Sequence, residues 1–255
     1  VQTLIAVILT KNEEAHIAAC IESVRWADAV VVFDSFSTDR TLAIAERCGA
    51  QIVQHAFENY SAQREAALRL LEAQSEWIFF IDADERSSAE QAAEMRAAIA
   101  HTAHNGFWIP RHNYIFGKLT RGGGWYPDHQ LRLLRPRHAR YDLSRKVHEL
   151  VILEGTAGYL STPLVHHNYR DVRQFHAKQQ RYTALAAQEL FKQGVRAKPQ
   201  NYILQPLRHF QWRFLTLGGY RDGLHGLRLS LLMAYYEWRK YLLLGRLWRQ
   251  RDQLR

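Results

Sequence analysis

Cysteine is scarce in this chain and long apolar runs are absent. The two cysteines, Cys20 and Cys48, fall inside expected helices at a spacing that suits neither a zinc site nor a redox pair. They are expected to be small core residues in a reducing compartment. No stretch reaches the roughly 18 consecutive apolar residues of a membrane-spanning helix. Residues 1–9 are too short and lack the basic start of a signal peptide, so no leader is expected and they read as a first strand. No Gly-x-Gly-x-x-Gly follows that strand, which removes the dinucleotide fingerprint. Internal repeats, low-complexity linkers, zinc fingers and RNA-recognition signatures are also missing.

What is present describes a folded chain with a basic end. Hydrophobic residues make up 47% and aromatics 12%, which excludes disorder. At 255 residues the chain can form one large domain or a domain with an appendage. The net charge of +9 invites a nucleic-acid partner, but its distribution argues for no nucleic acid. Residues 201–255 hold ten Lys and Arg against Asp222, Glu237 and Asp252, so seven of the nine net charges lie there. A basic tail rich in Leu, Tyr and Trp suits an anionic membrane surface better.

The most informative stretch is Trp77-Ile78-Phe79-Phe80-Ile81-Asp82-Ala83-Asp84-Glu85. Five large apolar residues in a row predict a strand buried on both faces of a parallel sheet. Asp82 and Asp84 follow at its carboxyl end, the rim where ligands bind in open α/β sheets. Two such carboxylates suit Mg²⁺ or Mn²⁺, although an acidic turn that caps the next helix reads similarly. Further strands are expected at Leu4–Leu9, Ala29–Phe33 and Gln51–Gln54. Helices are expected at Ala15–Trp26, Arg40–Cys48, Ser61–Leu71 and Ala89–Ala100. This alternation predicts βαβ units and a mostly parallel sheet. Beyond it, Gly106–Asn113, Gln130–Arg135 and Val147–Leu153 read as strands, with Gly122-Gly123-Gly124 and Pro127 as turn markers. Helices are expected at Asp171–Gly194, Pro199–Leu217 and Asp222–Arg251.

Three polar clusters, Asn12-Glu13, Asp34 to Asp39, and Asp82 to Asp84, each follow an apolar strand and should emerge at one sheet edge. Ser37 or Thr38 could serve only as a helix cap. With Arg64 in Gln63-Arg64-Glu65-Ala66, the ordered series resembles the motifs of the family 2 glycosyltransferases. That resemblance implies an α/β GT-A fold (Rossmann-like, mostly parallel sheet) with a C-terminal helical appendage. It also implies an inverting enzyme that uses a UDP-sugar donor. The series Gly123-Gly124-Trp125-Tyr126-Pro127-Asp128, Arg132, Val147-His148-Glu149 and His166-His167-Asn168-Tyr169 resembles the narrower lipopolysaccharide-core glucosyltransferases. That subgroup implies glucose as the sugar and an inner-core sugar as a lipid-borne glycan acceptor. Related enzymes act on polyprenyl-linked or capsular glycans, and a non-catalytic nucleotide-sugar-binding membrane protein is the rival from another class.

The resemblance implies roles residue by residue. Thr10, Asn12 and Glu13 line the ribose and uracil pocket, and Asp34 recognises the base. Arg64 approaches base or phosphates, or pairs with an acid. Asp82, Ala83 and Asp84 contact the nucleotide, with Asp84, Asp82 and His166 as metal ligands. Inversion requires a general base for the acceptor hydroxyl. Glu149 is the first candidate and Asp128 the second. Trp125, Tyr126, Arg132 and His148 are assigned to acceptor or phosphate, with an acid partner as the plain alternative for Arg132 and core packing for the histidines.

The expected division is a glycosyltransferase domain over 1–198, with halves 1–105 and 106–198, and a basic amphipathic region over 199–255. In that region Leu207, Phe210, Phe214 and Leu217, then Leu224, Leu227, Leu231, Tyr235 and Trp238, recur at helical spacing beside arginines. The stripes can pack on the catalytic domain, dock on a membrane, or form a homodimer interface. Membrane attachment is the first expectation, at the inner face of the bacterial inner membrane.

Overall fold

The uninterrupted apolar runs near residues 4 and 77 carry no polar face, so they are stable only between two layers of side chains. The computed structural model, which describes residues 2–144 and 150–253, places both at the middle of a sheet. In chain order the elements are β1 (Leu4–Thr10), α1 (Ile17–Ser23), β2 (Ala29–Asp34), α2 (Thr41–Arg47), β3 (Gln51–Gln54), α3 (Tyr60–Leu71), β4 (Trp77–Asp82), β5 (Glu85–Arg86) and α4 (Ala89–Ala100). There follow β6 (Gly106–Ile109), β7 (Arg111–Ile115), β8 (Lys118–Leu119), β9 (Gln130–Leu134), β10 (Ala139–Tyr141), β11 (Val151–Leu153), β12 (Ala157–Tyr159) and β13 (Leu164–Tyr169). The last helices are α5 (Val172–Lys192), α6 (Asn201–Gln211) and α7 (Gly223–Gln253).

Two compact units are present, Val1–Arg111 with His129–His166, and His112–Asp128 with His167–Arg255. The first is built on a seven-stranded sheet of order β12-β6-β9-β4-β1-β2-β3. Strands β4, β1, β2 and β3 are parallel, with Ile8 paired to Val32 and Ile81. β9 is antiparallel to both β4 and β6. Alternate residues serve opposite layers. Leu4, Ala6, Ile8, Phe79 and Ile81 pack with Ile17, Cys20 and Ile21 of α1 and Met95 and Ile99 of α4. Ile5, Val7, Ile78 and Phe80 pack with Ala67, Leu68 and Leu71 of α3. Each fully buried Val, Leu, Ile, Phe or Met among them contributes about 1.5–3 kcal/mol. Helix starts are set by short polar caps: Asn59 accepts from Ala62 N at 3.0 Å and Ser88 from Gln91 N at 3.2 Å.

The second unit contains α5, α6 and α7 with the β7–β8 pairing of Tyr114 to Leu119 and Ile115 to Lys118. Ile115, Tyr169, Phe175, Leu229 and Tyr236 form one core cluster there, and Ala187, Leu244 and Trp248 another.

β6 and β9 complete the sheet beside β4, while the apolar side of α5 packs along α7. The strand expected over 106–113 is interrupted at Pro110, whose missing N–H breaks the ladder. Of the strand expected over 147–153, Val151–Leu153 is present and residues 147–149 lie outside the described residues.

Candidate active site

The loops after β1 and β2 interlock through polar contacts. Asp34 is fully buried and accepts from Thr10 Oγ1 at 3.0 Å, Ser37 N at 2.8 Å and Gln54 Nε2 at 3.4 Å. Asn12 adopts the left-handed conformation that asparagine tolerates, with φ 56°. From there its N donates to Ser37 Oγ and its Oδ1 accepts from Thr38 N, each at 2.8 Å. Glu13 N donates to Thr41 Oγ1 at 2.8 Å, and Asp39 accepts from Thr41 N at 3.0 Å. The three polar clusters therefore stand at the carboxyl ends of the parallel strands β1, β2 and β4, with the first two tied together.

At the end of β4 the carboxylates have unequal partners. Asp82 Oδ1 receives Arg64 Nη2 at 2.8 Å and Arg132 Nη1 at 3.1 Å, and its Oδ2 receives Arg132 Nη2 at 2.6 Å. Burial would raise this carboxyl, but the Arg132 and Arg64 guanidiniums hold it well below the usual carboxylate range. Glu85, with no exposed surface, accepts from Asp82 N at 2.9 Å and pairs with Arg111 at 3.0 Å. Ala83 is buried within the turn. Asp84 instead faces His166, with Oδ2 and Nε2 3.6 Å apart. That approach follows from the antiparallel pairing of β13 with β5, in which His166 opposes Glu85.

In the second unit, Asn113 Nδ2 donates to Asp128 Oδ2 at 3.1 Å and to Trp125 O at 2.7 Å. Its Oδ1 accepts from Asn168 Nδ2 at 3.1 Å. Tyr126 lies against His112, with ring centroids 5.1 Å apart. Burial, then the Arg121 charge, lowers the His112 pKa.

The family model of glycosyl transferase family 2 matches residues 5–165, which span the three polar clusters of the rim. The chain belongs to glycosyl transferase family 2. Lipopolysaccharide core biosynthesis glycosyltransferase LpsC of Rhizobium meliloti (strain 1021) is 31% identical over 247 residues, covering 91% of this chain and 88% of LpsC. An uncharacterized glycosyltransferase of Rickettsia felis is 28% identical over 253 residues, 90% of this chain and 85% of its own length. Among solved structures, glucosyl-3-phosphoglycerate synthase from Mycobacterium tuberculosis, in complex with Mn²⁺ and UDP, matches with a TM-score of 0.36. There the identity is 21% over 42% of this chain and 43% of that one, less than half of that protein. The glycosyltransferase thus has the α/β GT-A fold, and its C-terminal helices follow the matched domain.

Of the residues expected at this glycosyltransferase's site, Thr10, Asn12, Glu13, Asp34, Arg64, Asp82, Ala83, Asp84, Arg132 and His166 belong to the first unit. Trp125, Tyr126 and Asp128 belong to the second. His148 and Glu149 lie outside the described residues. Arg64 and Arg132 both pair with an acid, Asp82. The sequence alone gives Arg111 and Asn113 no role, and it gives Asn168 only a place in the motif His166-His167-Asn168-Tyr169. Asparagine is disfavoured in strands, so its presence at Asn113 in β7 and Asn168 in β13 was the available signal. Arg111 offered none, because its partner Glu85 is distant in sequence.

Proposed function

We propose that this glycosyltransferase moves glucose from UDP-glucose to a sugar of the lipopolysaccharide inner core, with inversion at the anomeric carbon. The observation that carries the donor side is the polar rim at the ends of β1, β2 and β4, closed by the Asp84–His166 approach. Similarity to LpsC supports the acceptor class. Thr10, Asn12 and Glu13 border the uridine pocket, and Asp34 keeps the two loops around it in register.

Among the described residues no group of three or more His, Cys, Asp or Glu side chains could hold a metal. The pair Asp84 and His166 would hold Mg²⁺ or Mn²⁺. When bound, such an ion supplies charge neutralisation for the departing diphosphate. Asp82 has both oxygens engaged by guanidiniums, so we assign it to hold Arg64 and Arg132 in place rather than to ligate metal. A carboxylate, Glu149 or Asp128, takes the proton of the acceptor hydroxyl as that oxygen bonds to the anomeric carbon and the bond to UDP breaks.

The test is calorimetric titration of UDP and UDP-glucose with Mn²⁺ and with chelator, in the parent and in Asp84→Ala and His166→Ala. Metal-dependent UDP binding in the parent and its loss in Asp84→Ala are expected. Equal affinity in chelator would overturn the metal assignment, and no UDP binding would overturn the donor. Glu149→Gln and Asp128→Asn are then compared with purified acceptor, and the true base is the one whose loss abolishes transfer while donor binding persists.

We assign the second unit to attachment at an anionic bilayer, with the inner face of the inner membrane as its place, and its exposed apolar and basic residues support the bilayer contact. Ile203 and Leu207 of α6 and Leu224 and Leu231 of α7 are exposed, Leu224 to 84%, with Arg208, Arg221 and Arg228 nearby in sequence. No helix among the described residues is long and apolar enough to cross a membrane. A homodimer through the same helices is the competing outcome, and it would show as concentration-dependent mass without lipid.

A further inference from the structure

The loop Gly122–Asp128 carries Trp125, Tyr126 and Asp128, and much of its shape is imposed by the corner between α6 and α7. Asp222, just before α7, accepts from Arg121 N at 3.0 Å and from Gly122 N at 2.7 Å. Gly123 N donates to Leu217 O at 2.9 Å, and Arg213 Nη1 donates to Gly123 O at 2.6 Å. The same guanidinium stands 5.4 Å from the centre of the Trp125 ring, and its Nε donates to His209 Nε2 at 2.9 Å. These backbones approach too closely for a side chain. A β-carbon on Gly122 would lie 2.1 Å from Gly218 O and 2.9 Å from the Cα of Gly219. Arg213 sits in a π-helical turn, Trp212–Thr216, that continues α6. Such turns are rare and frequently mark functional sites. A helical tail that served only to touch a bilayer or a partner would need none of this polar wiring.

We propose that Arg213 and Asp222 are positioning residues for the acceptor step. They hold the loop in the one conformation that presents Asp128 and the Trp125-Tyr126 pair to the incoming sugar. This rests on the assignment of that loop to the acceptor given above. It makes the C-terminal helices part of the catalytic apparatus rather than an accessory. The loop is clamped from both sides: Asn113 holds Asp128 and the carbonyl of Trp125, while Arg213 and Asp222 hold residues 121–123. A shift of about 1 Å at such a site can cost about 100-fold in rate, so losing either clamp should be visible in turnover.

The experiment uses the full chain with Asp222→Asn, Arg213→Gln and Arg213→Lys. Each is measured for UDP affinity, for transfer to purified inner-core acceptor, and for amide hydrogen exchange over residues 118–128. In Asp222→Asn and Arg213→Gln, kcat/KM for the acceptor should fall by about 10- to 100-fold while UDP affinity is unchanged. Exchange at Arg121, Gly122 and Gly123 should accelerate. Arg213→Lys should recover part of the transfer, because an ammonium can still donate to the Gly123 carbonyl. Parent-like transfer in a folded Asp222→Asn or Arg213→Gln protein would overturn the proposal, as would a matching loss of UDP affinity. If the parent itself transfers nothing from UDP-sugars, the functional reading fails on its own. The exchange data then still decide whether the clamp exists, and unchanged protection at residues 121–123 overturns it.

Discussion

Asp82 binds a guanidinium on each of its oxygens and so organises one end of the rim. Two almost wholly buried arginines, Arg64 and Arg132, pair with it at 2.8 and 2.6 Å. Replacing Asp82 by Asn removes the shared carboxylate from both pairs, and breaking a buried ion pair by removing one partner costs about 3 kcal/mol. Chemical denaturation of Asp82→Asn at neutral pH should show a loss of that order, and an unchanged midpoint would mean that the pairs contribute nothing. The pH dependence has a definite sign. Because the folded-state pKa is lowered, the stabilisation is complete above the ordinary aspartate value of about 3.9 and is lost as pH falls toward the folded value. Parent and variant stabilities should therefore converge below about pH 4, and a constant gap down to acid pH would contradict the ion-pair account.

The elements themselves were largely readable in advance. β3 and α4 occupy the expected residues, and β1, β2, β4 and α3 differ by a residue at one end or the other. Apolar runs, helical periodicity and polar caps are local signals, and each acts within a few residues of its cause. β5, β12 and β13 were not anticipated, because short strands are stabilised by partners far along the chain rather than by their own pattern. The glycines at 122–124 read only as turn markers, whereas the backbone of Gly218 and Gly219 in the α6–α7 corner makes the small size of Gly122 a packing requirement. Gly122→Ala would drive a β-carbon into the Gly218 carbonyl, and overpacking of that kind costs about 1–3 kcal/mol. Gly117 has open space around its β-position, so Gly117→Ala should cost only the backbone strain of its φ of 74°. Thermal melts of the two variants should rank Gly122→Ala as the less stable. The reverse order would show that the loop does not sit against the α6–α7 corner.

For the protein as a whole, the distribution of charge and apolar surface gives a prediction that no single site contains. The exposed leucines of α7 and the arginines around them should bind vesicles with anionic headgroups and ignore neutral ones. Each basic residue near the surface contributes about 1 kcal/mol, and that part weakens as ionic strength screens it. Leu224→Glu with Leu231→Glu should abolish co-sedimentation with such vesicles while UDP binding is retained. Retained sedimentation in that double variant would remove α7 from the membrane contact. A shift from dimer to monomer in the same variant, without lipid, would identify the stripe as a subunit interface instead.

Amino-acid order alone established the parallel half of the sheet, the position of the acidic rim at its carboxyl edge, and membership of the glycosyltransferase family. Those properties follow from contiguous apolar runs and from motifs a few residues long. It could not establish which groups face one another across the site. The approach of His166 to Asp84 depends on an antiparallel pairing between β5 and β13, and the capture of Asp82 by Arg132 depends on β9 lying beside β4. The clamp of Arg213 and Asp222 on residues 121–123 depends on the packing of a helical corner nearly a hundred residues later. Contacts of that kind are selected by the energy of the assembled core, and no window along the chain contains both partners.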